Sequence, residues 1–347
     1  MGRNKIFTKI KKPFLWPACV VLFMALPLVV DSNYITSVLI VIGLYTIIVQ
    51  GLGILMGYAG QVSFGHGGFF GLGGYAVAVL TTRYDWPPVL ALLAAIALPG
   101  LVAAGIGRPA LKLREFYLAL GTMGFGILIH TMFNEAGKLT GGPSGIAGIP
   151  YLSTGGLVFD SDIKFFYLVW AVVLLVLFGI NNLIRSRVGR ALRAIRESEH
   201  AAETAGIDTG KLKLKAFIFS ALLAGLAGGL YAFYVTFVSP APFGFNASVQ
   251  FVLMAVVGGL GTFFGPLLGA TLVVLLGEFL RWAIPLVIPG AGGEYEIVFF
   301  GLILVLLMIY RPEGLGTLGK ILTSPGKKKP GAAEAGIPGG GRGYEVN

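Results

Sequence analysis

The sequence predicts an all-α, polytopic integral membrane protein, and three observations carry that prediction. Of its 347 residues, 56% are hydrophobic and 12% charged, about half the charged share of an ordinary soluble domain. The apolar residues come in runs of roughly 17–25, the length at which a helix crosses a ~30 Å hydrocarbon layer. The few charges gather in alternate gaps between those runs. A mean hydropathy of +0.83 argues against a soluble enzyme, a secreted scaffold or a disordered regulator. The single cysteine, Cys19, excludes an intramolecular disulfide or a cysteine metal cluster.

About ten transmembrane segments are expected, some short or broken. They are Phe14–Val30, Ile35–Met56, Ser63–Thr82, Pro87–Gly107, Phe116–Phe133, Ile163–Ile184, Lys213–Val238, Ser248–Leu260, Phe264–Ile284 and Tyr295–Tyr310. Arg3, Lys5, Lys9, Lys11 and Lys12 precede the first run in signal-peptide order. No small-x-small cleavage site follows, so the run reads as a retained helix. Residues 1–13 are then a basic cytoplasmic terminus, 14–312 the membrane domain and 313–347 a flexible Gly-, Pro- and Lys-rich cytoplasmic tail.

Charge tests this threading. With both termini cytoplasmic, 22 of the 26 Lys and Arg residues fall inside. Only Arg83, Lys138, Lys164 and Arg281 fall outside, among eight acids. The net charge of +10 therefore divides as positive-inside topology demands. It is no sign of nucleic acid.

Two places are irregular. Ser248–Leu260 is too short to span unaided and ends in Gly258-Gly259-Leu260-Gly261. The junction Gly57-Tyr58-Ala59-Gly60-Gln61-Val62-Ser63-Phe64-Gly65-His66 carries glycines and polar groups at membrane depth. Backbone freed from helical bonding is tolerated there only where protein or a wet cavity satisfies it, so both breaks are candidate pathway elements. Close helix packing is the competing reading, and it is preferred for Gly71, Gly73 and Gly74. Phe69–Gly74 echoes Phe263–Ala270, which raises a possible internal inverted repeat.

Catalytic constellations are scarce. His66, His130 and His200 lack the i, i+4 partner of a zinc-binding helix, and no metal site is expected. His130 with Asn134, and Glu278 with Arg281, are read as structural pairs on their helices. The tail's Gly314-x4-Gly319-Lys320 is followed by Ile321, where a phosphate loop needs Ser or Thr; the chain is not expected to bind ATP. With segment cores nearly free of charge, ion coupling lacks its groups. The energy is expected from a partner. The loop 186–212 suits one, because Val188, Leu192 and Ile195 stripe an otherwise basic helix ending at Gly206.

Four motifs in order resemble the LIV-type permease subunits of bacterial ABC importers for branched-chain amino acids. Gly57–His66 resembles the family's early Gly-Tyr-x-Gly-Gln-x-Ser-x-Gly-His stretch. Thr140-Gly141-Gly142 opens a loop similar to its external Thr-Gly-Gly element, within residues 134–162. Gly189–Gly206 resembles the loop that docks on the ATPases. Gly258–Pro266 matches the late Gly-Gly-x-Gly-x-x-x-Gly-Pro element. The resemblance implies ATPase coupling through Arg193, Glu197, Glu199, Ala202, Glu203 and Gly206. It implies a pathway near Gly57, Tyr58, Gly60, Gln61, Ser63, Gly65, His66, Gly258, Gly259 and Gly261. It also implies a second homologous permease, two cytoplasmic ABC ATPases carrying ATP and Mg, a periplasmic or lipid-tethered substrate-binding protein, and a place in the bacterial or archaeal inner membrane among its lipids. A urea or short-chain amide permease is the nearest alternative, and a standalone ion-coupled carrier the more distant one.

Overall fold

The computed structural model describes residues 24, 27, 32–110, 115–287, 293–310 and 314–317. The first expected segment, apart from Met24 and Pro27, lies outside the described residues, as do Cys19 and the tail beyond Thr317.

Helices stand at each of the other expected segments. They are α1 (Asn33–Leu52, continued by a wide π turn, Gly53–Tyr58), α2 (His66–Arg83), α3 (Pro88–Ala110), α4 (Glu115–Glu135) and α5 (Asp162–Arg185). The helical loop gives α6 (Arg187–Glu197) and α7 (Glu199–Thr204), and the second half gives α8 (Thr209–Val235), α9 (Phe245–Gly258), α10 (Gly265–Val287) and α11 (Gly293–Tyr310). Helices α3, α5, α8, α10 and α1 with its π turn are long and apolar enough to cross a membrane. Helix α9 has 14 residues. It is about six short of the ~20 a span requires.

The helix starts follow from capping chemistry. Ser161, Ser186, Ser198 and Asp208 each accept a backbone N–H three residues on, opening α5, α6, α7 and α8. Such a cap satisfies one of the orphan donors of a helix N-terminus and contributes about 1 kcal/mol. Pro88 begins α3, where its missing N–H costs nothing.

Helix α8 is the central post, packed against α1, α2 and α3. Small residues let it approach so closely. A methyl group on Gly225 would strike the Ala95 carbonyl and the Pro99 ring, and one on Gly228 would strike the Phe70 carbonyl. Pro99 has no N–H for the Ala95 carbonyl, so the bare face of α8 lies where α3 is interrupted. Gly71, Gly73 and Gly74 likewise face Phe133, Gly225 and Phe243 at contact distance, as the packing reading expects. Phe70, Tyr75, Phe133 and Phe243 close the core around them, with ring centroids 4.2 Å apart for Tyr75–Phe133 and 5.1 Å for Phe70–Phe243.

The connections sort to two ends. At one, Tyr34 donates to Glu278, Tyr234 donates to Ser37 at 2.8 Å, and Arg83 donates to the Lys138 carbonyl. There β1 (Ile146–Ala147) pairs antiparallel with β4 (Phe237–Val238), beside a hairpin of β2 (Ser153–Thr154) and β3 (Leu157–Val158). At the other end lie both glycine breaks, α6 and α7. Both α2 and α10 start at that second end. The Phe69–Gly74 and Phe263–Ala270 echo therefore runs in one direction, and an inverted repeat would need opposite directions.

A joint between two helix breaks and the helical loop

The π turn Gly53–Tyr58 ends α1 by widening the helix until the chain can turn away. The stretch after it is buried, yet it has little helical bonding to use. Its polar groups find other partners. His66 Nε2 lies 2.5 Å from Ser220 Oγ, Ser248 Oγ accepts the Gly67 N–H at 2.9 Å, and Thr122 Oγ1 accepts the Phe64 N–H at 3.1 Å. Gln61 Oε1 and His66 Nδ1 are buried without a protein partner among the described residues. Three helices thus hold the non-helical segment and the first turn of α2 that follows it.

The second break folds onto the first. A side chain on Gly57 would collide with the backbone of Gly261, and one on Gly53 would crowd Pro266. Gln50 Nε2 donates to the Phe263 carbonyl at 3.2 Å. Gly261 has φ +78°, a left-handed conformation that glycine adopts without strain. After α11 the chain returns, and Gly314 and Gly316 pack on Gly259 and Thr262.

Arg196, from the last turn of α6, locks the pair. Its guanidinium donates to the Gly57 carbonyl. Its side chain lies beside Gly60, and its Nη1 would be 2.7 Å from a methyl on Gly261. The helical loop is thus tied to both breaks by one cation on a carbonyl that the π turn leaves free. Arg193 turns back instead, donating to the Gly189 and Ile184 carbonyls at 3.3 and 3.1 Å, and so fixes the α5–α6 corner.

The rest of the loop is a second clamp. Lys213 Nζ meets Glu199 at 2.6 Å, and this hydrogen bond holds the Glu199 carboxyl below the usual glutamate range. Glu203 accepts from Thr209 Oγ1 at 2.9 Å. Ala202 is buried, while Glu197 stays exposed with no ion pair among the described residues. Gly206, at φ +81°, ends α7 and releases the chain toward α8. Val188 remains 40% exposed, whereas Leu192 and Ile195 are buried. Part of the apolar stripe is therefore spent inside the chain.

Gly57, Tyr58, Gln61, Ser63, Gly65, His66, Gly258 and Gly259 are buried, and with Gly60 and Gly261 they form a closed joint. Thr140 staples its loop, donating to the Phe133 carbonyl at 2.7 Å while accepting the Gly142 N–H. Gly141 and Gly142 turn at positive φ beside it. No cluster of metal-binding side chains occurs among the described residues.

Residues 34–308 match the family described as the branched-chain amino acid transport system permease component. The chain belongs to that family. This permease is 34% identical over 338 residues to the high-affinity branched-chain amino acid transport system permease protein LivM of Escherichia coli and to that of Salmonella typhimurium, covering 88% of its own length and 75% of theirs. It is 27% identical to the probable LivM of Methanocaldococcus jannaschii, over 86% of this permease and 97% of that one. The LivH permease of Salmonella typhimurium is 26% identical over 78% and 90% of the two chains. No solved structure gives a significant match.

Sequence reasoning placed the two breaks and the helical loop of this permease separately. It missed Arg196, which joins them. The residue was one of five arginines spaced through 185–196, and nothing local separates the one that reaches a freed carbonyl. Gln50 was missed for a related reason. An amide in the last turn before a break is a weak signal until the partner break is known.

Proposed function

We propose that this chain is the membrane permease subunit of an ATP-binding cassette importer for branched-chain or similar hydrophobic amino acids. It would work with a second homologous permease, two cytoplasmic ATPases that carry the ATP and Mg, and a periplasmic or lipid-tethered binding protein. The reading sets the chain in the bacterial or archaeal inner membrane with about ten crossings and both termini cytoplasmic. Residues 186–212 then face the ATPases and 134–162 face the binding protein. This chain itself would bind no cofactor. Any internal duplication would be a same-direction one, given the shared start of α2 and α10.

One observation carries the mechanical part: Arg196 ties the loop that would meet an ATPase to the two places where the membrane helices are broken. A rigid push on α6 and α7 would reach both breaks together, because each is held by packing and by few backbone bonds of its own. Substrate choice would rest chiefly with the binding protein.

The test is uptake by the complete complex in proteoliposomes. Labelled leucine should be taken up with ATP inside, and unlabelled valine or isoleucine should compete where urea does not. Competition by urea instead would favour the amide branch; uptake by this chain alone under an ion gradient would reject the ABC reading. Glu203→Ala or Gly206→Val should leave membrane insertion intact while separating ATP hydrolysis from uptake.

A further inference from the structure

Toward the end of the bundle where Tyr34 meets Glu278, α1, α9, α10 and α11 line a half-open groove of about 490 Å³. That is within the range of small-molecule sites. Its walls combine two chemistries. Val41, Val249, Leu253, Val273 and Phe300 give an apolar side, while Asn246, Gln250, Glu278 and Arg281 line the remainder. Asn246 and Gln250 are one helical turn apart on α9, so they share a face. Neither side chain makes a hydrogen bond among the described residues. Glu278 accepts from Tyr34 and lies 3.4 Å from Arg281.

We propose that this cavity is a passage site for an aliphatic zwitterion, with Arg281 receiving the carboxylate, Glu278 the ammonium, and the α9–α10 wall the hydrocarbon side chain. The assignment rests on the permease reading above and names the residues that would touch the solute. Asn246, Gln250, Glu278 and Arg281 gather on the outer half of the groove, with Asn246 and Arg281 exposed, so a solute from that end meets polar groups first and the apolar wall after them. The opposite charges of Glu278 and Arg281, 3.4 Å apart, match the two ends of a zwitterion. An uncharged amide such as urea has no use for either charge. Asn246 and Gln250 offer donors and acceptors to a solute moving inward along α9.

The test uses the complete complex, with Cys19→Ser and Val249→Cys in this chain. A charged, membrane-impermeant thiosulfonate added outside should label the new cysteine, and leucine-loaded binding protein should slow that labelling. In the otherwise unaltered complex, Arg281→Gln and Glu278→Gln should each lower leucine uptake by about tenfold with assembly intact by co-purification, and Arg281→Lys should restore part of it. An unlabelled cysteine would show the cavity to face lipid or a neighbouring helix and would overturn the proposal. So would full leucine uptake in both charge variants. Absence of leucine uptake by the wild-type complex would instead reject the amino acid reading, while the labelling result still reports on whether the cavity is a wet route.

Discussion

His66 shows what a buried polar residue demands of its neighbours. Its ring is fully enclosed, and Ser220 from α8 is its hydrogen-bond partner at 2.5 Å. Removing that hydroxyl leaves a desolvated nitrogen, which costs about 1–3 kcal/mol. Ser220→Ala should therefore lower the Tm of the purified protein by several degrees, measured by tryptophan fluorescence. An unchanged Tm would mean that the ring finds another partner. Glycine positions are just as specific at this scale. Gly228 has the Phe70 carbonyl where its side chain would start, so Gly228→Leu should prevent stable folding. Gly137, with open space around the same point, should accept Ala freely. The sequence alone could rank neither glycine above the other, because the contact that decides the matter lies 158 residues away along the chain.

Among the elements, the helical loop carries the sharpest expectations. Arg196→Met keeps the length of the side chain and removes its donors, leaving the Gly57 carbonyl unpaired. Uptake should fall steeply while ATP hydrolysis continues, and the variant's ATPase rate compared with its uptake rate reads the difference. The Glu199–Lys213 clamp adds a pH dependence. Because the folded carboxyl is depressed, its stabilising contribution is present above the ordinary glutamate value of 4.5 and is lost as pH falls through the lower folded value. Both partners are partly exposed, so screening by water keeps the effect small. Limited proteolysis of the loop should speed up below about pH 4.5, and Lys213→Met should abolish that dependence.

These elements also show what was legible beforehand. Helix extents could be read from apolar runs, since that signal is local. The contact of Gly57 with Gly261, and the reach of Arg196, depend on how distant helices cross. No local pattern encodes that crossing. The Glu278–Arg281 pair was legible as a pair on one helix. The cavity beside it was not, because α1, α9 and α11 supply most of the wall.

At the scale of the whole molecule, the division of charge and the geometry of the ends make one claim between them. Positive-inside counting puts the Arg185–Lys215 cluster in the cytoplasm, and the structure sends α6, α7 and both breaks to a single end of the bundle. The β1–β4 pair and the β2–β3 hairpin lie at the other end, with Arg83 and Lys138. The proposed threading sets these two ends in opposite aqueous compartments. Ala201 and Thr154 are exposed, one at each end, and neither is a helix cap. In a Cys19→Ser background, Ala201→Cys should react with an impermeant maleimide only in inside-out vesicles, and Thr154→Cys only in right-side-out ones. Reaction of both cysteines from one side would break the ten-crossing arrangement. Reaction of each from the reverse side would keep the parity and invert the molecule, placing Arg196 and its joint where no cytoplasmic ATPase could push on them.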